Sequence, residues 1–278
     1  MPLIQTIQQM FSYNAILNAF IVGILVSVCA AVLGVSLVLR RYSMIGDGLS
    51  HVGYGAVAIA LCFGAAPLKI AIPVVLVAAF FLLKLTENSK INSDSAIAMI
   101  ASASLAAGIV VNHFSSASSA DAQSYLFGSI LLVTKSEMHA AVWMLSGILI
   151  LYILVYPQIF AITFDENYYH ATGGRTKWIQ LLISAATAIT VVLGLKIMGA
   201  MLISSLIVFP PLTAMQNAKS FRGVVLIAAL ASFCALIGGL FFSYFWDWPT
   251  GATIVLFHLA LFLLSYFVSV IRRAVRKR

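Results

Sequence analysis

Residues 40–60 read RRYSMIGDGLSHVGYGAVAIA. Asp47 and His51 stand four residues apart, among glycines, at the start of an apolar run. Burying a carboxylate or an imidazole is costly unless a partner compensates it, so the pair needs a physical reason.

What surrounds the pair is hydrocarbon. Of 278 residues, 62% are hydrophobic and 9% charged, and the mean hydropathy is +1.06. Ordinary globular domains carry about 25% charged residues, so this chain cannot clothe a surface facing water. Its long apolar runs do not alternate, which excludes a transmembrane barrel. The composition therefore points to an all-α integral membrane protein, one polytopic domain over residues 1–278. Candidate spans cover 15–39, 46–64, 68–85, 94–113, 137–157, 176–195, 199–215, 222–243 and 251–271. The second and seventh are short and interrupted by glycine or proline, so eight or nine transmembrane helices are expected. Residues 1–14 have neither the positive start nor the cleavage pattern of a signal peptide and read as an interfacial segment. Cys29, Cys62 and Cys234 are odd in number and scattered through apolar runs, as small buried side chains are, with no disulfide framework.

Basic residues set the expected orientation. With the C-terminus cytoplasmic, span alternation puts Arg40, Arg41, Lys84, Lys90, Arg175, Lys177, Lys219 and Arg222 on the same side. Arg272, Arg273, Arg276, Lys277 and Arg278 join them, which leaves only Lys69, Lys135 and Lys196 outside. This is the bias of the positive-inside rule, and it sets the N-terminus outside. Topology and anionic headgroups account for the net charge of +8, so no nucleic-acid partner is called for.

Asp47 and His51, at i and i+4, point from one face of a helix, and Tyr54 and Ala58 continue that stripe. Gly46, Gly48, Gly53 and Gly55 let neighbouring helices approach closely. Three readings are open: Asp47 as a helix N-cap at the interface, a proton-relaying dyad, or a metal-coordinating pair, since carboxylate oxygen and imidazole nitrogen suit zinc and manganese. Zinc usually takes four ligands, and His113, His139, His170 and His258 stand apart from the pair. Two copies around a two-fold axis would supply two carboxylates and two imidazoles, so the metal reading entails a homodimer. Ser204, Ser205 and Tyr54 are further candidates for lining a path, with ordinary packing as the other reading.

Two connecting segments stand out. Residues 114–136 are expected outside, with a serine-rich start and a short apolar stretch. Residues 158–178 form the longest cytoplasmic segment, within which TFDENYYHATGG reads as a short helix: Thr163 before it, Asp165 and Glu166 in its first turn, Gly173 and Gly174 to stop it. Its aromatic residues suit either docking of a soluble partner or contact with headgroups. No GxxxxGK[ST] phosphate loop is present, so any ATP coupling must enter through a partner.

Several motifs in order resemble one family, the membrane permeases of zinc- and manganese-uptake ATP-binding-cassette importers. RRYSMIGDGLSHVGYGAVAIA is similar to that family's signature around its acid and histidine, and SYLFGSILLVT at 124–134 to its outer-loop block. FDENYYHATGG at 164–174, KIMGAMLISSLIVFPPLTA at 196–214 and PTGATIVL at 249–256 resemble its coupling segment, seventh span and last span. The resemblance covers about residues 15–270 and departs at Pro210–Pro211, where relatives usually show one proline followed by alanine. It implies a type II importer permease of a bacterial cell membrane, working as a homodimer on two cytoplasmic ATPases and fed by an extracytoplasmic metal-binding protein. On that resemblance Asp47 and His51 coordinate the transported ion, zinc or alternatively manganese or iron. Phe164, Asp165, Glu166 and Tyr168 seat in an ATPase groove, and the chain itself holds no cofactor. A gradient-driven secondary transporter is the rival class. An intramembrane metalloenzyme would need an HExxH helix or a third close ligand, which the chain does not have.

Overall fold

The computed structural model describes residues 14–88, 93–114 and 135–276. Among these, all regular structure is helical: α1 (Asn14–Leu39), α2 (Ile45–Cys62), α3 (Pro67–Asn88), α4 (Ser93–Phe114), α5 (Lys135–Leu154), α6 (Tyr156–Phe164), α7 (Glu166–Ala171), α8 (Thr176–Met198), α9 (Ala200–Met215), α10 (Phe221–Trp246) and α11 (Thr250–Arg276). The expected interfacial segment, apart from Asn14, and the block at 124–134 lie outside the described residues.

α1 carries no charged residue and is apolar all round, as a helix largely buried in a bundle is, with Leu17 and Ile21 exposed near its start. Val22, Val26, Cys29, Ala31 and Val35 are fully buried. α5, α6, α8, α9 and α10 pack around it. To one side, α2 lies against α3 and α4 and also touches α8 and α9; to the other, α11 closes on α9 and α10. α11 turns Leu256, Leu264, Phe267 and Ile271 outward, as a helix solvated by lipid does. The sparse polar groups tie helices together: Ser232 Oγ donates to the Ser27 carbonyl at 3.0 Å, and Asn217 Nδ2 donates to Ser265 Oγ at 2.7 Å.

Segments of α1, α2, α4, α8, α10 and α11 are long and apolar enough to cross a membrane, making six spans. α5 and α6, bent by 68° at their junction, make a seventh if the pair is counted as one broken span. α9 and the Pro67–Leu82 stretch of α3 are apolar but shorter. Each of the nine expected spans thus falls on a helix, although two of them are short of full spanning length.

Three local expectations need correction. The span expected at 137–157 ends at Leu154, and residues expected to open a loop at 158 instead form α6, which buries Ile159 and Ile162. Pro157 explains the bend: it has no amide for the preceding turn, and its ring crowds the carbonyl four residues back. Pro210–Pro211 does not interrupt α9; the break falls at Gly199, whose φ of 84° joins α8 to α9. Of the cysteines only Cys29 is buried, and Cys62 and Cys234 are exposed thiols.

Candidate metal site and docking segment

The turn leading into α2 is closed by its own backbone. Arg41 N–H donates to the Val38 carbonyl at 3.1 Å and Tyr42 N–H to Leu37 at 2.9 Å, with Arg41 at φ 62°. This is a Schellman-type helix end with arginine in the left-handed position usually given to glycine. Ile45 N–H then donates to Tyr42 at 3.2 Å, and α2 begins at once. Met44 is its N-cap residue and provides no side-chain cap, while Asp47 sits inside the first turn. The capping reading of Asp47 is therefore set aside. A carboxylate in a first turn is nonetheless favoured by the helix dipole.

The glycines of α2 are contact points on several sides. A Cβ at Gly46 would meet Ile207 Cδ1 of α9 at 2.6 Å, and one at Gly48 would collide with Ile97 Cγ2 of α4. A Cβ at Gly55 would meet the Ser104 carbonyl oxygen at 2.9 Å, while one at Gly53 would touch Leu195 and Val75 at 3.3 and 3.6 Å. The small residues thus hold α2 firmly, with Asp47 and His51 on the strip between these contacts.

His51 Nε2 lies 3.5 Å from Asp47 Oδ1. That exceeds the usual 2.7–3.2 Å of an N–H···O hydrogen bond. It is near the separation of roughly 3.3 Å between two ligands of a tetrahedral zinc ion bonded at about 2.0–2.1 Å. The His51 side chain is 23% exposed and that of Asp47 41%, so in the single chain the pair opens outward. His51 Nδ1 is buried with no hydrogen-bond partner. Among the described residues no group of three or more His, Cys, Asp and Glu side chains forms a metal cluster. The chain brings together two candidate ligands, Asp47 and His51.

The other path candidates are less open. Tyr54 is 3% exposed, and its ring lies where a Cβ on Gly108 of α4 would meet it at 3.0 Å. Ser204 and Ser205 turn their hydroxyls back to the carbonyls of Met201 and Leu202, at 3.1 and 2.7 Å. Ser205 is buried and Ser204 half-buried. His258 is buried in α11 beside Phe209, away from the pair.

At one end of the bundle α6 and α7 form a knob. Asp165 is the N-cap of α7 rather than a member of its first turn, its carboxylate accepting from Tyr168 N–H at 2.9 Å. Thr163 belongs to α6 and donates to the Ile159 carbonyl at 2.6 Å. Gly173, at φ 84°, follows the last turn, and the Tyr169 ring fills the place where Gly174 has no side chain. Phe164 and Tyr168 are 62% and 67% exposed. Phe160, Phe164 and Tyr156 surround Phe221 with ring centres 5.4–5.9 Å away. Glu166 behaves differently from its neighbours: Arg40 Nη2 donates to its Oε2 and Gln180 Nε2 to its Oε1, each at 2.6 Å. These two partners escaped the sequence reading, although a lone glutamine in an apolar span is a legible signal.

Comparison with known proteins bears on the family and the fold. Across 98% of both chains, this protein is 30% identical to the manganese import system permease protein ScaB of Streptococcus gordonii. It is 31% identical to the high-affinity zinc uptake system membrane protein ZnuB of Buchnera aphidicola, over 91% of this chain and 97% of that one. Among solved structures, PsaBC from Streptococcus pneumoniae in complex with Fab superposes with a TM-score of 0.85 at 29% identity, covering 95% of each chain. An inward-facing metal-chelate type ABC transporter shares the fold, with a TM-score of 0.76 at 13% identity. Residues 12–269 match the sequence profile of the ABC 3 transport family, and this multi-pass membrane protein belongs to that family.

Proposed function

We propose that this chain is the permease subunit of an ATP-driven importer of divalent transition-metal ions in a bacterial cell membrane, with zinc as its cargo. The 3.5 Å separation of His51 Nε2 and Asp47 Oδ1 on one face of α2 carries the reading. A tetrahedral zinc ion needs ligands at this spacing, and the outward-open pair provides half of them. A second copy related by a two-fold axis supplies the remaining carboxylate and imidazole. Two carboxylates then balance the charge of a divalent ion along a low-dielectric path. Manganese is the second reading, favoured by relatives named for manganese transport and by the exposure of Asp47, which leaves room for water ligands.

The remaining parts follow from chemistry the chain lacks. Without a phosphate loop of its own it takes its energy from a cytoplasmic ATPase on each copy. The exposed aromatic rings of Phe164 and Tyr168 suit a groove on that subunit. Arg40, Gln180 and Arg222 converge on the same end as α7, which fits a cytoplasmic side rich in basic residues and a C-terminus there. An extracytoplasmic binding protein delivers the ion at the other end. The test is growth of a strain lacking its own metal permease, complemented by this chain under separate zinc and manganese starvation. Rescue under zinc starvation alone is the expected result. Rescue under manganese starvation alone selects the second reading, and rescue under neither rejects both.

A further inference from the structure

We propose that Arg40, Glu166 and Gln180 form a strap that transmits movement of α7 to the helix carrying Asp47 and His51. The inference rests on the reading of α7 as the ATPase-docking element. Glu166 is the first residue of α7, beside the exposed rings, yet both of its carboxylate oxygens are bound inward, by Arg40 and by Gln180 at 2.6 Å each. Such charge-assisted bonds are shorter and stronger than neutral ones. The Arg40 side chain is only 11% exposed, and its guanidinium also lies 5.6 Å from the centre of the Tyr42 ring. Gln180 is 5% exposed, and a buried amide is costly without a partner. Both partners are thus committed to Glu166.

What lies on each side of this junction is stiff. α7 is capped by Asp165 and closed by Tyr169 against Gly174. From Arg40 to α2 the backbone is bonded step by step, Tyr42 to Leu37, Ile45 to Tyr42 and Gly48 to Met44, so the turn moves as one piece with the first turn of α2. Asp47 belongs to that first turn. A push on α7 therefore reaches Asp47 through Arg40, and through Gln180 it reaches α8, which packs on α1, α2 and α9. Arg40 and Gln180 are positioning residues and touch no ion.

The test uses the complete importer, permease with its ATPase and binding protein, in vesicles, and measures zinc ions imported per ATP hydrolysed. In Arg40→Met the ATPase stays bound and hydrolyses ATP, while the ratio falls about tenfold, within the range a coupling residue commands. Arg40→Lys keeps one charged bond to Glu166 and holds the ratio near that of the unaltered protein. Should Arg40→Met fail to accumulate, Arg40→Met combined with Glu166→Gln leaves no unpaired charge and takes its place, with the same lowered ratio expected. An unchanged ratio in the methionine variant overturns the strap. So does loss of the ATPase from that variant, or a ratio in Arg40→Lys as low as in Arg40→Met. An unaltered complex that imports neither zinc nor manganese overturns the reading of function, and the strap with it.

Discussion

Gly34 of α1 faces the backbone carbonyl of Ile207 of α9 so closely that a Cβ on Gly34 would collide with the oxygen. Pro211 lies four residues after Ile207 and has no amide to offer that carbonyl. The missing side chain of Gly34 makes space for the acceptor that the proline leaves free. The paired prolines and this glycine are two parts of one contact between the central helix and its neighbour.

Gly34→Ala must force α1 and α9 apart, because the colliding atom is backbone and cannot swing away. A loss of about 1–3 kcal/mol is expected, the usual cost of overpacking, read as a lower unfolding temperature of the detergent-purified protein. Gly147→Ala on α5, where an added Cβ meets nothing within 4 Å, is the control. It should cost no stability and gain up to about 1 kcal/mol, the helix-propensity advantage of alanine over glycine.

Asp165→Ala removes the cap of a six-residue helix. The loss of a capping side chain costs about 1 kcal/mol, enough to weaken ATPase binding roughly fivefold while the transmembrane helices stay folded. Phe164→Ala with Tyr168→Ala removes the exposed rings themselves and should abolish co-purification of the ATPase. Quantitative pull-down from solubilised membranes, with helical content followed by circular dichroism, checks both.

The spans were legible because hydrocarbon leaves the backbone few options: a long apolar run must be a helix, and all nine runs are helical. The Asp47–His51 pairing was legible for the same local reason, i and i+4 on one helix. What lay beyond reach was set by distant parts of the chain. Glu166 read as a docking residue because it lies in the segment that resembles the family's coupling block, and its inward bonds to Arg40 and Gln180, 126 and 14 residues away, left no mark in that segment. Gly34 carried no visible mark, since its role is defined by a carbonyl on another helix. The N-caps Met44 and Asp165 lie two or three residues from the expected Asp47 and Thr163 because backbone turns, not side-chain chemistry alone, fix where the first hydrogen bond closes.

Arg41 holds φ at 62° at the end of α1, a conformation costing a non-glycine residue roughly 1–2 kcal/mol. Arg41→Gly should therefore raise the unfolding temperature. Because Arg41 is exposed, ATPase binding should be unaffected. A thermal melt of the two proteins side by side decides it.

Central to the account is that Asp47 and His51 hold the ion in transit. The most direct measurement is uptake of radioactive zinc and manganese by cells carrying Asp47→Asn or His51→Gln, with permease in the membrane matched by immunoblot. The account predicts that each variant falls to the level of cells without the chain. Uptake of either metal at the unaltered rate in either variant would contradict it.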